Sequence, residues 1–149
     1  MLIIHRLKTV YISRKENFNA AHKLWNSKWS DEKNEAVFGK CANKNWHGHN
    51  YDVIVTVKGI PSEDTGFVID LKDLSQIMSK FIIKPLDHKN LNLDVPFLEG
   101  LLPSTENVII KIWEQIELPI KELGGELAKI KLEETENNFV EYYGGKEPF

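Results

Sequence analysis

His47-Gly-His49 is the pair of residues in this chain whose types and spacing most directly offer chemistry. Residues two apart on a strand share a face, so both imidazoles can turn toward one metal ion. His22 sits on a preceding strand-like segment and would bring a third imidazole. Three histidines with one open position form the pattern of a catalytic zinc site. Zinc held in that way polarises hydroxyl or carbonyl oxygens and acidifies attached protons. The only cysteine of 149 residues, Cys41, lies just upstream of the pair. Three readings of it stay open. It is an inert buried hydrophobe, a fourth ligand that closes the site, or a catalytic thiol activated by nearby zinc or an imidazolium.

Two further constellations could support such a site. Asp87 and His88 are adjacent between a helix end and a polar stretch, and a carboxylate beside an imidazole can relay a proton to or from a thiol. Taken alone, the pair also reads as a solvated loop. Glu134 shares its strand face with Ile130 and Leu132, so its carboxylate points inward and needs a partner. A heterocycle presenting an amino group and a ring N–H would supply one through two parallel hydrogen bonds. An internal cation is the plainer alternative, although arginine occurs only at positions 6 and 14. Thr105 and Glu106 open a predicted helix, and capping alone could explain them.

The elements that must position these residues follow from periodicity. Residues 11–22 read as a strand with Phe18, Ala20 and His22 on one face. Ser30 caps a short helix that ends near Gly39. Residues 47–59 form a second strand whose odd positions (His49, Tyr51, Val53, Val55, Val57) are mostly apolar and face inward. A turn over 61–66 leads to a short extended segment, 67–70. Asp70 then caps a helix with Leu71, Leu74, Ile77, Met78, Phe81 and Ile82 as its apolar stripe, ended by Pro85. A second helix begins around Ser104, buries Val108, Ile109, Ile112, Trp113 and Ile116, and closes at Pro119 and Gly124-Gly125. Residues 129–134 and 139–143 read as a β-hairpin. The order predicts an α+β fold with a meander-like sheet.

Composition sets the outer limits. Apolar residues make up 42% and charged residues 28%, as in ordinary globular proteins, and residues 1–149 are expected to form one domain. The net charge of -3, without a basic block, argues against a nucleic-acid partner. No stretch approaches a membrane span, no secretion signal is evident, and a single cysteine suits a reducing compartment, so the cytoplasm is expected.

The motifs in this order resemble the 6-pyruvoyltetrahydropterin synthase family, which includes the bacterial 6-carboxytetrahydropterin synthases. They are Phe18-Asn-Ala-Ala-His22, Phe38-Gly-Lys-Cys41, His47-Gly-His49-Asn-Tyr51, Gly66-Phe-Val-Ile-Asp70, Leu86-Asp87-His88-Lys-Asn-Leu, Ser104-Thr105-Glu106-Asn107 and Glu134-Thr135. The resemblance implies Zn2+ on His22, His47 and His49, and Cys41 as the thiol that removes a proton. It implies Asp87 and His88 as the relay, and Thr105, Glu106 and Glu134 as the pterin site. It implies a tunnelling fold, an antiparallel four-stranded sheet with two helices on one face. Trimers would close a barrel and pair into a homo-hexamer, with active sites at subunit contacts. The expected reaction converts 7,8-dihydroneopterin triphosphate to 6-pyruvoyltetrahydropterin with loss of triphosphate, in tetrahydrobiopterin synthesis. The alternative is the 6-carboxytetrahydropterin reaction, which releases acetaldehyde and feeds queuosine and other deazapurines. A zinc-stabilised pterin- or purine-binding module without catalysis, with Cys41 as fourth ligand, and an assembly protein using only the barrel are the non-enzymatic readings. Trp46 stands where many relatives have a smaller residue and alters the pocket rim.

Overall fold

The computed structural model describes residues 8–148. Alternation of polar and apolar residues drives two long strands, β1 (Val10–His22) and β2 (His47–Gly59), to pair antiparallel along their full length. Their register sets His22 opposite His47 and Ala20 opposite His49. Three histidines therefore meet at one end of the sheet. Strand β4 (Glu126–Glu133) pairs with β2, with an irregularity at Thr56 and Val57, and turns into β5 (Phe139–Tyr142).

The sheet has five strands rather than the expected four, in the order β3-β1-β2-β4-β5. The extra one, β3 (Lys89–Asn90), runs parallel to β1 beside Ala20 and Ala21. Residues 67–70 form bends instead of a ladder strand, although Ile69 is still buried. The α+β class and the largely antiparallel sheet are as expected.

The inward face of β2 (Tyr51, Val53, Val55 and Val57) is sealed by two long helices. Helix α2 (Leu71–Met78) is capped by Asp70 and continues through a π turn (Ser79–Ile83) into a last α turn (Lys84–Leu86). Pro85 lies inside that last turn, so the helix ends one residue beyond its expected stop. The π turn re-pairs the backbone with the Lys84 N–H donating to the Ser79 carbonyl, and Leu74, Met78, Ile82 and Leu86 stay buried. Leu71, expected in the apolar stripe, is exposed.

Helix α3 (Thr105–Glu122) passes through Pro119, which was expected to close it. Proline forfeits one helical hydrogen bond, but Ile112, Ile116 and Ile120 along the same side are fully buried. Each such side chain contributes about 1.5–3 kcal/mol, enough to hold the last turn in place. The short helix α1 (Asp31–Phe38) starts at Ser30 and stops at Gly39, as expected. No helix among the described residues is long and apolar enough to cross a membrane.

Candidate active site

Each of the three histidines presents one buried ring nitrogen that has no hydrogen-bond partner: His22 Nε2, His47 Nδ1 and His49 Nε2. Orphaned buried polar atoms are costly, and a metal ion removes the cost by accepting their lone pairs. With Glu134 they form a group whose donor atoms all lie within 4.8 Å of one another. Glu134 Oε1 is 2.8 Å from His49 Nε2 and 3.4 Å from His22 Nε2. Ligands of a tetrahedral zinc site are about 3.3 Å apart, so the cluster has the dimensions of a coordination shell.

Protonation points the same way. Burial holds both His47 and His49 below the usual imidazole range; the other histidines push His47 further down, and Glu134 partly offsets the shift. Neutral rings carry the lone pair a metal needs. The 2.8 Å contact between His49 and Glu134 lacks hydrogen-bond geometry, which leaves His49 Nε2 uncommitted. His22 is oriented from behind. Its Nδ1 lies 2.8 Å from the Pro103 carbonyl, which can only accept, so Nδ1 carries the proton and Nε2 faces the cluster. Tyr51 lies behind the histidines, its phenol held protonated by burial and by the charge of Glu134.

Cys41 is not one of the converging donors. It lies in the one-turn 3-10 segment Gly39–Ala42, half-exposed, and its carbonyl accepts the Leu24 N–H at 2.8 Å. That bond ties the cysteine segment to the chain two residues beyond His22. The group joining the histidines is instead Glu134, which lies just past the end of β4.

Asp87 and His88 are brought together and locked to β1. Asp87 Oδ1 accepts the Asn19 N–H at 2.9 Å, while Asp87 Oδ2 lies 2.8 Å from His88 Nδ1. The His88 N–H donates to the Asn19 carbonyl at 2.7 Å, and His88 has the left-handed φ of 59°. The Asn19 N–H, then His88, hold the Asp87 carboxyl below the ordinary carboxylate range. Both residues line an open cleft of about 740 Å3 with His49 and Glu134. No hydrogen bond joins either of them to Cys41 among the described residues, and His88 is 75% exposed.

Thr105, Glu106 and Glu134 line an adjoining cleft of about 450 Å3. Capping does not account for Thr105, because the cap of α3 is Ser104, which accepts the Asn107 N–H. The Thr105 hydroxyl donates to Glu134 Oε2 at 2.9 Å. That bond leaves the carboxylate oriented between the two clefts.

The positioning groups not found in the sequence are mostly main chain: the Pro103 carbonyl and the Asn19 peptide. A backbone group has no residue-type signature, so no sequence signal identifies it. Asn92 is a side-chain case. Its Oδ1 accepts the Lys23 N–H and its Nδ2 donates to the Lys23 carbonyl, both at 2.9 Å. Its place in an Asn-rich loop gave no sign of this.

Known proteins share the sequence pattern and the fold. The model of the family described as 6-pyruvoyl tetrahydropterin synthase matches residues 11–145. A 6-pyruvoyl tetrahydrobiopterin synthase of Homo sapiens is 47% identical over 135 residues, 89% of this chain and 90% of that protein. The solved structure of Caenorhabditis elegans 6-pyruvoyl tetrahydropterin synthase superposes with a TM-score of 0.85 at 37% identity, covering 94% of this chain and 99% of that one. A 6-carboxy-5,6,7,8-tetrahydropterin synthase of Haemophilus influenzae is 34% identical over 80 residues, covering 52% of this chain and 48% of that protein. With its histidine cluster and sheet in place and its sequence matched almost from end to end, the chain belongs to the 6-pyruvoyl tetrahydropterin synthase family.

Proposed function

We propose that this protein is a zinc-dependent lyase that converts 7,8-dihydroneopterin triphosphate to 6-pyruvoyltetrahydropterin and releases triphosphate. The observation that carries the reading is the set of three unpartnered imidazole nitrogens converging within 4.8 Å of one another. The full-length match to a synthase of that name supports the choice of product over the 6-carboxy alternative, whose match spans about half of each chain.

His22, His47 and His49 would hold the metal. Bound there, zinc polarises the oxygens of a hydroxylated side chain and acidifies its carbon-bound protons. Glu134, oriented by Thr105, accepts the paired N–H groups of the pterin ring, with Glu106 at the rim of the same cleft. Cys41 takes the proton from the side-chain carbon. His88 receives it or stabilises the thiolate, with Asp87 fixing the ring through Nδ1. Loss of triphosphate and an internal shift of electrons complete the conversion without an external oxidant.

Cys41 and the Asp87–His88 pair do not meet within one chain, and His88 is mostly exposed. This supports an assembly in which the relay of one copy serves the cysteine of its neighbour, within a hexamer of two trimeric barrels. The deciding experiment is mass spectrometry of the product formed from 7,8-dihydroneopterin triphosphate by zinc-loaded protein. 6-Pyruvoyltetrahydropterin with inorganic triphosphate is expected. 6-Carboxytetrahydropterin with acetaldehyde would move the protein to the alternative reaction, and no turnover would overturn the enzymatic reading.

A further inference from the structure

We propose that Asn92 is a positioning residue: its side-chain amide ties the Asp87–His88 loop to the peptide units that follow His22 and meet the Cys41 segment. The proposal rests on the reading of His22 as a zinc ligand and adds what holds that ligand in register with the rest of the site. Strand β1 ends at His22 and β3 ends at Asn90, so no strand pairing reaches Lys23 and Leu24 among the described residues. Asn92 fills that gap. Its Oδ1 accepts the Lys23 N–H and its Nδ2 donates to the Lys23 carbonyl, both at 2.9 Å. An asparagine amide offers a donor and an acceptor as a peptide group does. The side chain therefore extends the sheet edge by one step.

Two consecutive peptide units are fixed in this way. The first joins His22 to Lys23, and its N–H is the one held by Asn92 Oδ1. The second joins Lys23 to Leu24. Its carbonyl accepts from Asn92 Nδ2, while its N–H donates to the Cys41 carbonyl at 2.8 Å. One peptide plane thus bridges the Asn92 loop and the cysteine turn, directly beyond the ligand. Asn92 itself stands on a fixed base. The Asn90 side chain accepts its N–H at 2.9 Å, and Asp94 Oδ2 accepts the Asn90 N–H at 2.8 Å.

The same loop grips β1 at every second residue. Asn19 binds Asp87 and His88, the Ala21 carbonyl accepts the Leu91 N–H at 2.8 Å, and Lys23 binds Asn92. Alternate residues of a strand present their peptide groups to one edge, so residues 19, 21 and 23 form a single row of attachments. The relay pair, the ligand and the cysteine turn are joined through that row. Asn92 lines neither of the clefts beside Glu134. Its effect is therefore on the placement of groups, which rates feel steeply: a displacement of about 1 Å costs on the order of 10²-fold.

The test compares Asn92→Leu, which keeps the size and loses both bonds, with Asn92→Asp, which keeps the acceptor. Zinc affinity is measured by competition with a chromogenic chelator, and kcat and KM are measured on zinc-loaded full-length protein. Asn92→Leu should bind zinc about tenfold more weakly, the low end of what loss of an outer-shell partner costs. kcat should fall by about tenfold or more while KM holds, and Asn92→Asp should recover most of both losses. A merely structural asparagine would lower stability to urea and leave the zinc affinity and kcat of the folded protein unchanged. That result, or wild-type values throughout, would overturn the proposal. If Asn92→Leu does not fold, hydrogen exchange on wild-type protein decides. Zinc should slow exchange of the Lys23 and Leu24 amides and also of His88 and Leu91 on the loop. Unchanged exchange at His88 and Leu91 would break the link. Wild-type protein that binds zinc but forms no product would refute the lyase reading, while zinc affinity and exchange still decide the role of Asn92.

Discussion

At the scale of single residues, the structure separates Cys41 from the histidine cluster and sets Glu134 beside it. Two substitutions follow different logic for that reason. Cys41→Ala removes a thiol that is not among the converging donors, so zinc content by elemental analysis should match wild type. Turnover should fall about 10²–10⁴-fold, the usual contribution of a positioned proton-transfer group. Full activity would remove the thiol from the mechanism. Glu134→Gln keeps the shape but loses the charge proposed to accept two N–H groups of the ring. As a ring anchor it should retain zinc and raise KM at least about tenfold. If the variant instead loses zinc, Glu134 is a ligand and the pterin ring is held by other groups.

Protonation of the ligands belongs to the same scale. Burial holds His47 and His49 below the ordinary imidazole value of 6.5. A lowered pKa means that protons reach these rings only at more acidic pH, and metal binding must displace any proton present. Zinc should therefore stay bound through pH 7 and be lost on acidification at a midpoint below about 6.5. Gel filtration at stepped pH followed by metal analysis checks this. Loss already complete at neutral pH would contradict the neutral-ligand assignment.

At the scale of elements, the turn into β2 carries the clearest strain. Trp46 has a left-handed φ and leads directly into His47. Trp46→Gly and Trp46→Ala both remove the indole, but only glycine adopts that φ without Cβ strain. Urea denaturation should find Trp46→Ala less stable than Trp46→Gly by about 1 kcal/mol. Equal stability would mean that the local backbone relaxes and stores no strain. The same segment shows what was legible in the sequence. Period-two alternation in β1 and β2 was enough to turn His22, His47 and His49 inward, and parity in β4 was enough for Glu134. Prolines misled at the helix ends. Local rules place a stop at Pro119, yet packing of Ile112, Ile116 and Ile120 carries α3 through it. Strand β3 escaped notice because two residues cannot show a period. Its parallel pairing with β1 is instead part of what anchors Asp87 and His88 to Asn19.

At the scale of the whole molecule, the two halves of the proposed proton-transfer machinery must meet. Within one chain, Asp87 and His88 line the cleft beside Glu134, and Cys41 lies in a separate turn tied to Leu24. In a closed symmetric assembly one such surface faces its complement on the next copy. A site assembled from two chains makes a prediction that a site within one chain does not. Cys41→Ala and His88→Ala should each be inactive alone. Co-expressed, they should regain activity, because some sites then take the intact cysteine from one copy and the intact relay from its neighbour. With equal, random incorporation about a quarter of the sites are complete, a product of two independent halves in a symmetric ring. Recovery near that level, with both variants present in one oligomer by native mass spectrometry, supports the shared site. If mixed oligomers form and no activity returns, the relay and the thiol act within one chain. The loop carrying Asp87 and His88 would then have to move toward Cys41 when substrate binds.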